Sequence, residues 1–168
     1  MFKKISPYET DDNVFKLIDK DWMLITAGKM DDFNTMTASW GHLGIMWNLP
    51  VAICYIRPQR HTFGFANRFE DYTLSFFEEK HRKILQFCGT KTGRDYDKMK
   101  ETGLIPFETE SGNIGYEQAR MVMECKKIYQ DDMVAENFIR PEIVRKNYPK
   151  NDFHRFYYGE IIRVLLKD

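Results

Sequence analysis

Short apolar and aromatic runs, each bounded by Gly, Pro, Asn or Asp, recur along this 168-residue chain. Runs of this length and composition are typical of β-strands, and an aromatic content of 15% supports that interpretation. Residues 51–56 are continuously apolar, which predicts a strand buried on both faces. In the final run, Phe156, Tyr158, Ile162 and Val164 share one parity. The predicted strands are residues 22–28, 33–40, 51–56, 72–77, 121–129 and 154–166.

Four shorter stretches carry helix signals. Thr62 and Asp95 stand where a side-chain oxygen can cap a helix, and Gly89 and Gly103 stand where glycine can end one. Six or more strands with a few short helices predict a mainly β fold, a β-barrel with helices packed outside it. The length fits a single domain over residues 1–168. The predicted helices are residues 62–68, 80–87, 95–102 and 142–148.

Composition restricts the partners that the protein can bind. Lys plus Arg and Asp plus Glu number 25 each, so no broad basic field is available for nucleic acid or an anionic membrane. Any anion site must therefore be local. No apolar stretch is long enough for a membrane span or a signal peptide. Cys54, Cys88 and Cys125 are odd in number and form no CxxC pair, which predicts a reducing, cytoplasmic setting without disulfides or structural zinc.

The segment from Arg57 to Phe63 follows the continuously apolar strand and carries two arginines. Pro58 predicts a turn, and a helix begins near Thr62, so free N–H groups and a positive dipole end are expected here. Arg57 and Arg60 can add bidentate hydrogen bonds to a phosphate, and His61 can line the pocket or support it as a donor. The alternative is a solvated loop whose arginines pair with surface acids.

The segment from Asn34 to Gly41 is dense in small hydroxyl residues and includes one large aromatic residue. Alternation along a strand places hydroxyls on one face and a mixture of polar and apolar side chains on the other. Small residues let the backbone approach a flat ligand and donate N–H groups to it. Trp40 can form a wall for a ring or fill the core, and the local pattern favours the core. The hydroxyl face carries Thr35, Thr37 and Ser39, and the other carries Asn34, Met36, Ala38 and Trp40.

A third segment, residues 87–95, contains two glycines, two threonines and Lys91 before a predicted helix. It is loosely similar to a phosphate-binding loop without the full spacing, so Lys91 can reach a phosphate or a ring carbonyl, or the segment merely connects two elements. Cys88 has no evident base partner, which argues against a nucleophilic role. His42 is predicted to lie in a glycine-bounded turn. The histidines do not have the paired spacing that would predict a metal site, and no GxGxxG motif for a Rossmann nicotinamide site follows a strand. The sequence identifies no catalytic residue.

In their order along the chain, these segments resemble the flavin reductase-like family with the FMN-binding split barrel, including flavoredoxin-type proteins. The resemblance also rests on Ser75-Phe76-Phe77 and on the closing strand from His154 to Ile161, and it covers roughly residues 20–166. It implies a homodimeric split β-barrel that holds FMN near the subunit interface. Residues 34–40 would then line the flavin, and the turn at residues 57–62 would hold its phosphate.

The resemblance implies an oxidoreductase that passes electrons from NAD(P)H, or from a protein donor, through FMN to an acceptor. One alternative is a flavoredoxin-like FMN electron carrier without significant NAD(P)H turnover. Another is a split barrel that binds a different ligand, such as heme or pyridoxal phosphate. The residues expected to bind the cofactor are Asn34, Thr35, Met36, Thr37, Ala38, Ser39, Trp40, Arg57, Pro58, Arg60, His61, Thr62, Ser75, Phe76, Cys88, Gly89, Lys91 and Asp95.

Overall fold

The computed structural model describes residues 1–168 and contains ten strands and five short α-helices. The strands are β1 (Phe2–Ile5), β2 (Met23–Lys29), β3 (Asp32–Ala38), β4 (Gly41–Met46), β5 (Leu49–Ile56), β6 (Asp71–Phe76), β7 (Pro106–Glu108), β8 (Ile114–Tyr116), β9 (Met121–Asp132) and β10 (Arg155–Lys167). The helices are α1 (Val14–Lys16, continued by a π-helical turn at Leu17–Asp21), α2 (His61–Arg68), α3 (Arg82–Thr90), α4 (Lys98–Thr102) and α5 (Pro141–Asn147). No helix has the length and apolar character needed to cross a membrane.

Eight antiparallel strands form one sheet in the order β3-β2-β6-β9-β10-β5-β4, with β1 added alongside β10. The strands β3 and β4 stand at opposite ends of this order, yet only Ser39 and Trp40 separate them in the chain. The sheet must therefore curl until its two edges approach, which makes it a barrel that is split between β3 and β4. The mainly β prediction, a barrel with a few short helices outside it, is confirmed.

The long strand β10 departs from regular alternation. Its pairing with β9 shifts register between Tyr158 and Gly159 and again between Ile161 and Arg163. The second irregularity places an extra residue, Ile162, on β10, so the side chains after it occupy the opposite face. Val164 is consequently buried, whereas Ile162 is 39% exposed, so the single parity predicted along this strand does not correspond to one face.

Apolar side chains are buried in two layers. One layer fills the barrel, with Ile25, Ile56 and Phe76 almost without exposed surface. The other lies between the outer face of the sheet and α3, where Leu85 packs with Tyr116. Burial of this apolar area is the main favourable contribution to folding, and it fixes α3 against the sheet.

Several predicted element boundaries are wrong for identifiable reasons. Thr62 does not cap α2, because its hydroxyl accepts a hydrogen bond from Asn34 and Arg60 occupies the N-cap. Asp97, not Asp95, caps α4, accepting from two backbone amides. Helix α3 continues through Gly89 to Thr90.

Other elements were not predicted at all. The strand β1, the helix α1 and the strands of the β7–β8 hairpin have only three or four residues each, which is too short for a periodic pattern. His42 lies in strand β4, not in a turn, and pairs with Ile53 on β5. The strand β5 is buried on one face only, since Ile53 and Tyr55 keep exposed surface.

Candidate functional site

A cavity of about 700 Å³ lies where β3 and β5 end and α2 begins. Its size is within the range of small-molecule and cofactor sites. The lining comes from the end of β3 and its link to β4, from the turn between β5 and α2, and from the loop after α3. The lining residues are Asn34, Met36, Thr37, Ala38, Ser39, Trp40, Tyr55, Arg57, Gln59, Arg60, His61, Thr62, Thr90, Lys91, Thr92, Gly93, Arg94, Lys98 and His154.

Positive charge is concentrated on one part of this lining. Five lysine or arginine side chains contribute to it, and no aspartate or glutamate does. In a protein whose formal net charge is zero, such a local excess favours an anionic ligand. The five cationic residues are Arg57, Arg60, Lys91, Arg94 and Lys98.

The start of α2 adds backbone donors to the cationic part. The first amides of a helix have no intrahelical acceptor, and they carry the positive end of its dipole. The Nδ2 of Asn34 donates to the Thr62 Oγ1 at 2.7 Å, which fixes the end of β3 against the first turn of α2. The Thr62 hydroxyl keeps its own proton for another acceptor. Burial and the nearby Arg94 hold the pKa of His61 below its usual value.

Arg57 is already engaged within the protein. Its Nη1 donates to the Asp152 carboxylate at 2.7 Å, and its Nη2 donates to the Asn147 carbonyl at 2.9 Å. Its guanidinium carbon also lies 5.0 Å from the centre of the Tyr148 ring. The sequence left open that the arginines of this segment pair with acidic side chains, and Arg57 does so. Its contacts attach α5 and the loop after α5 to the end of β5.

Arg60 and Lys98 connect the cavity to α3. The Arg60 Nη1 donates to the Gly89 carbonyl at 2.7 Å. Lys98 is only 6% exposed, and its Nζ donates to the carbonyls of Thr35 at 2.6 Å and Cys88 at 3.0 Å. Burial lowers the pKa of Lys98 to about 8, and burial with the charge of Arg57 lowers the pKa of Arg60. Both ammonium and guanidinium groups retain donors for a ligand.

Another part of the lining, formed by Trp40, Tyr55 and His154, is aromatic. Trp40 is 48% exposed, so the core role that the sequence favoured for it is wrong. Its ring lies 5.4 Å from the ring of His154, whose Nδ1 is 2.8 Å from the Tyr148 hydroxyl. Burial, and then the charge of Arg57, lower the pKa of His154 to about 4, so this imidazole is neutral at pH 7.

The link between β3 and β4 has unpaired backbone donors. Neither the Ser39 nor the Trp40 amide has an acceptor within the chain. Backbone N–H groups are almost always paired in proteins, with water or a ligand where no protein acceptor is present. This wall of the cavity can therefore donate hydrogen bonds to a planar ligand lying against β3.

Eleven of the eighteen residues predicted from the sequence line this cavity, and seven do not. Ser75 and Phe76 have no exposed surface, because β6 is a central strand of the barrel wall. Cys88 lies on the buried face of α3, and this burial raises the pKa of its thiol to about 11. The residues in the cavity are Asn34, Met36, Thr37, Ala38, Ser39, Trp40, Arg57, Arg60, His61, Thr62 and Lys91.

The remaining four lie close to the cavity without lining it. The Thr35 hydroxyl points away and donates to the Ile25 carbonyl. Gly89 lies within α3, where its carbonyl accepts from Arg60. Pro58 and Asp95 are exposed outside the lining.

Sequence reasoning missed eight lining residues. Gly93 and Arg94 lie within residues 87–95, the segment in which the local pattern marked only Lys91, and Lys98 lies on the predicted helix that follows. Nothing local marks His154 or Tyr55 as cavity residues, because only the barrel brings them there. The missed residues are Tyr55, Gln59, Thr90, Thr92, Gly93, Arg94, Lys98 and His154. No group of His, Cys, Asp or Glu side chains is arranged to hold a metal ion.

Comparison with known proteins identifies the family of this fold and site. A family model described as the flavin reductase like domain matches residues 17–168, and the chain belongs to this family. The sequence-based recognition of the family is thus confirmed. No functionally curated protein matches the sequence.

Solved structures of the split-barrel class share the fold. The FMN-binding domain of a flavin reductase-like enzyme from Shewanella baltica has a TM-score of 0.71 at 14% identity, covering 99% of this chain and 77% of that one. Flavoredoxin of Desulfovibrio vulgaris has a TM-score of 0.69 at 18% identity, covering 99% and 78%. An NADH:FAD oxidoreductase of Streptomyces globisporus has a TM-score of 0.66 at 14% identity, covering 88% and 75%.

Proposed function

We propose that the protein binds FMN in this cavity and passes electrons from NAD(P)H through the flavin to an acceptor. The observation that carries this proposal is the division of the cavity into a cationic part without carboxylates and an aromatic part with free backbone amides. FMN has the same division, with a phosphate dianion at one end and a planar ring at the other. Membership of the flavin reductase family supports it.

The cationic part would hold the phosphate. The start of α2, with the Thr62 hydroxyl, offers neutral donors, while Arg60 and Arg94 supply charge-assisted hydrogen bonds. Arg57, which already pairs with Asp152, would act chiefly by orienting the loop before β10. The resemblance implies that the turn at residues 57–62 holds the phosphate, and within this turn we assign the direct contact to Arg60 and not to Arg57.

The aromatic part would hold the ring. Its edge would accept hydrogen bonds from the amides of Ser39 and Trp40, and the Trp40 indole would cover apolar ring surface. Flavin supplies the hydride chemistry when bound, and the protein supplies binding, orientation and electrostatics. Lys98 places a positive charge behind β3, where it favours an anionic ligand over a neutral one.

Identification of the bound ligand tests this proposal directly. The expected result is FMN, detected by mass spectrometry after denaturation of the purified protein, and a higher melting temperature when FMN is added to depleted protein. Arg60→Ala should weaken FMN binding, whereas Arg68→Ala should not, because Arg68 is exposed and pairs with Asp32 away from the cavity. Release of heme or pyridoxal phosphate on denaturation, or a melting temperature that added FMN does not raise, would refute this proposal.

A flavoredoxin-like electron carrier is the second candidate, and the structural similarity to Desulfovibrio flavoredoxin favours it. The similarity to an NADH:FAD oxidoreductase favours the enzyme. A steady-state assay of the FMN-loaded protein with NADH, and then with NADPH, separates the two. Turnover at a rate above that of free FMN supports the reductase, and negligible turnover with either nucleotide supports the carrier.

We also propose a homodimer in a cytoplasmic setting. The β4–β5 hairpin turns through Trp47 and Asn48, both with positive φ, and it exposes Ile45 and Trp47 by 58% and 54%. Exposed apolar groups in one place are typical of subunit interfaces. Trp47→Lys should convert the dimer to a monomer in light scattering, whereas Tyr8→Lys, at an exposed N-terminal site, should not.

The three cysteines are free and buried, which suits a reducing compartment.

A further inference from the structure

A second cavity, of about 900 Å³, lies beside the first. The two cavities share Ser39, Trp40, Tyr55 and His154, so the same side chains form the boundary of both. The second cavity extends from this boundary towards α1 and the start of β4. A molecule bound in it would be adjacent to a ring held along β3.

The character of the second cavity differs from that of the first. Eight of its fifteen lining residues are hydrophobic, and they include the exposed ring of Phe15 on α1. Phe15 is 85% exposed, so packing within the chain does not account for an aromatic residue at this position. An aromatic wall of this kind favours a planar apolar ligand.

Two hydrogen-bonded histidine–tyrosine pairs line the second cavity. The Tyr55 hydroxyl lies 3.1 Å from the His42 Nδ1, and the Tyr148 hydroxyl lies 2.8 Å from the His154 Nδ1. In each pair the Nε2 atom of the imidazole makes no hydrogen bond within the chain. Where the neutral His154 imidazole accepts from Tyr148 at Nδ1, its proton is on Nε2, and such a donor suits a carbonyl oxygen.

Charge distinguishes the possible occupants. The only charged residues lining this cavity are on α1, and Lys20 pairs with Asp19 at 2.6 Å. Of the two lysines that line this cavity, Lys16 is then the one without an acidic partner. A nicotinamide dinucleotide carries at least two phosphate charges and would need more cations than this. A neutral ligand is therefore favoured.

We propose that the second cavity binds the electron acceptor, and that the acceptor is a neutral quinone whose carbonyl oxygen faces the histidine–tyrosine pairs. This inference rests on the proposed function, which supplies reduced flavin in the first cavity. In the transfer, two electrons and two protons leave the reduced flavin, which returns to its oxidised form, and the quinone becomes the hydroquinone. NAD(P)H then restores the reduced flavin.

The test uses menadione, a neutral two-ring quinone, with the FMN-loaded protein. Calorimetric titration into the oxidised protein measures binding without turnover. Reoxidation of the photoreduced protein under anaerobic conditions, with menadione and separately with ferricyanide, measures transfer. The variant is Phe15→Ala, which removes an exposed side chain, and Val14→Trp serves as a second variant that narrows the cavity. Tyr8→Ala is the matched control, since Tyr8 is 73% exposed and lies outside both cavities.

Phe15→Ala should weaken menadione binding by about tenfold, the factor expected for loss of one aromatic contact, and Val14→Trp should weaken it further. FMN affinity and the ferricyanide rate should stay at the wild-type values. Menadione binding that neither variant changes would overturn this inference while leaving FMN binding intact. A change from dimer to monomer in Phe15→Ala would also overturn it, by showing that a second copy of the chain covers the cavity. Failure to bind FMN would refute the proposed function, and with it this acceptor site.

Discussion

Lys98→Met is the substitution that tests the electrostatics of the cavity most directly. Lys98 is almost fully buried, and its ammonium is held by the carbonyls of Thr35 and Cys88, with one donor left for a ligand. Methionine keeps much of the length of the side chain and removes the charge. Loss of a charged hydrogen bond costs about 1.5–3 kcal/mol, so FMN should bind about 10- to 150-fold more weakly at pH 7.

The lowered pKa of Lys98 gives this prediction a distinctive pH dependence. With a pKa of about 8, the ammonium loses its proton as the pH rises through that value in the ligand-free protein. A phosphate dianion stabilises the protonated form, so binding takes up a proton and the affinity falls as pH rises. The apparent dissociation constant for FMN is proportional to 1 + 10^(pH − pKa), so FMN should bind about tenfold more weakly at pH 9 than at pH 7.

Titration of FMN fluorescence at pH 7, 8 and 9 measures this effect. The phosphate and the two cavity histidines do not change protonation in that window, because the second phosphate pKa is about 6, that of His61 is below its usual value and that of His154 is about 4. Lys91→Met is the control, since Lys91 is exposed, and it should weaken binding while keeping the pH dependence. A pH dependence that survives in Lys98→Met would refute the reasoning.

Three further predictions concern the neighbouring structure. Gly93→Ala should weaken FMN binding, because the added Cβ would overlap the Asn34 side-chain oxygen, and unchanged affinity in a fluorescence titration would contradict this. Asp152→Asn should tighten FMN binding by several-fold, because it leaves the Arg57 charge in the cavity without its partner. Arg57 lowers the pKa of Asp152, so the stabilisation from this pair should be present at pH 7 and be lost below about pH 4, as measured by urea unfolding of wild type and variant. Glu124→Gln should lower the free energy of unfolding by about 1–3 kcal/mol, since it keeps an acceptor for Thr109 and Asn113 but removes the buried charge that lies 3.5 Å from the Arg163 Nε, and an unchanged urea midpoint would contradict this.

The sequence predicted the strands of the barrel wall because each is long, apolar and sharply bounded. The strand β4 was not predicted because it contains two glycines and is largely exposed. Its pairing with β5 depends on the hairpin turn at Trp47 and Asn48 and not on the pattern of its own residues. The two register irregularities between β9 and β10 were not predicted for a different reason. A bulge depends on the register between two strands, and this register is not visible within either strand alone.

The sequence predicted those site residues that lie in short segments of distinctive composition. Arg60, Thr62 and Trp40 stand in segments whose composition already indicated a ligand. Lys98 and His154 do not, because their positions depend on packing of distant elements, and the lowered pKa of each arises from that burial. Conversely, a short motif such as that at Ser75 fits the resemblance but belongs to the buried barrel wall, so an ordered match along the chain did not ensure contact with the cavity.

The link between β3 and β4 explains why the cavity lies where it does. Ser39 and Trp40 connect the two edges of the sheet, so they cannot take part in either ladder, and their amides have no acceptor within the chain. A closed barrel would have satisfied these donors, whereas the split leaves them beside the first turn of α2 and its free N–H groups. The topology thus concentrates backbone donors at one edge, and the surrounding cations favour an anionic ligand there. Trp40 is exposed for the same reason, since a residue that crosses between the sheet edges faces two cavities and not the core.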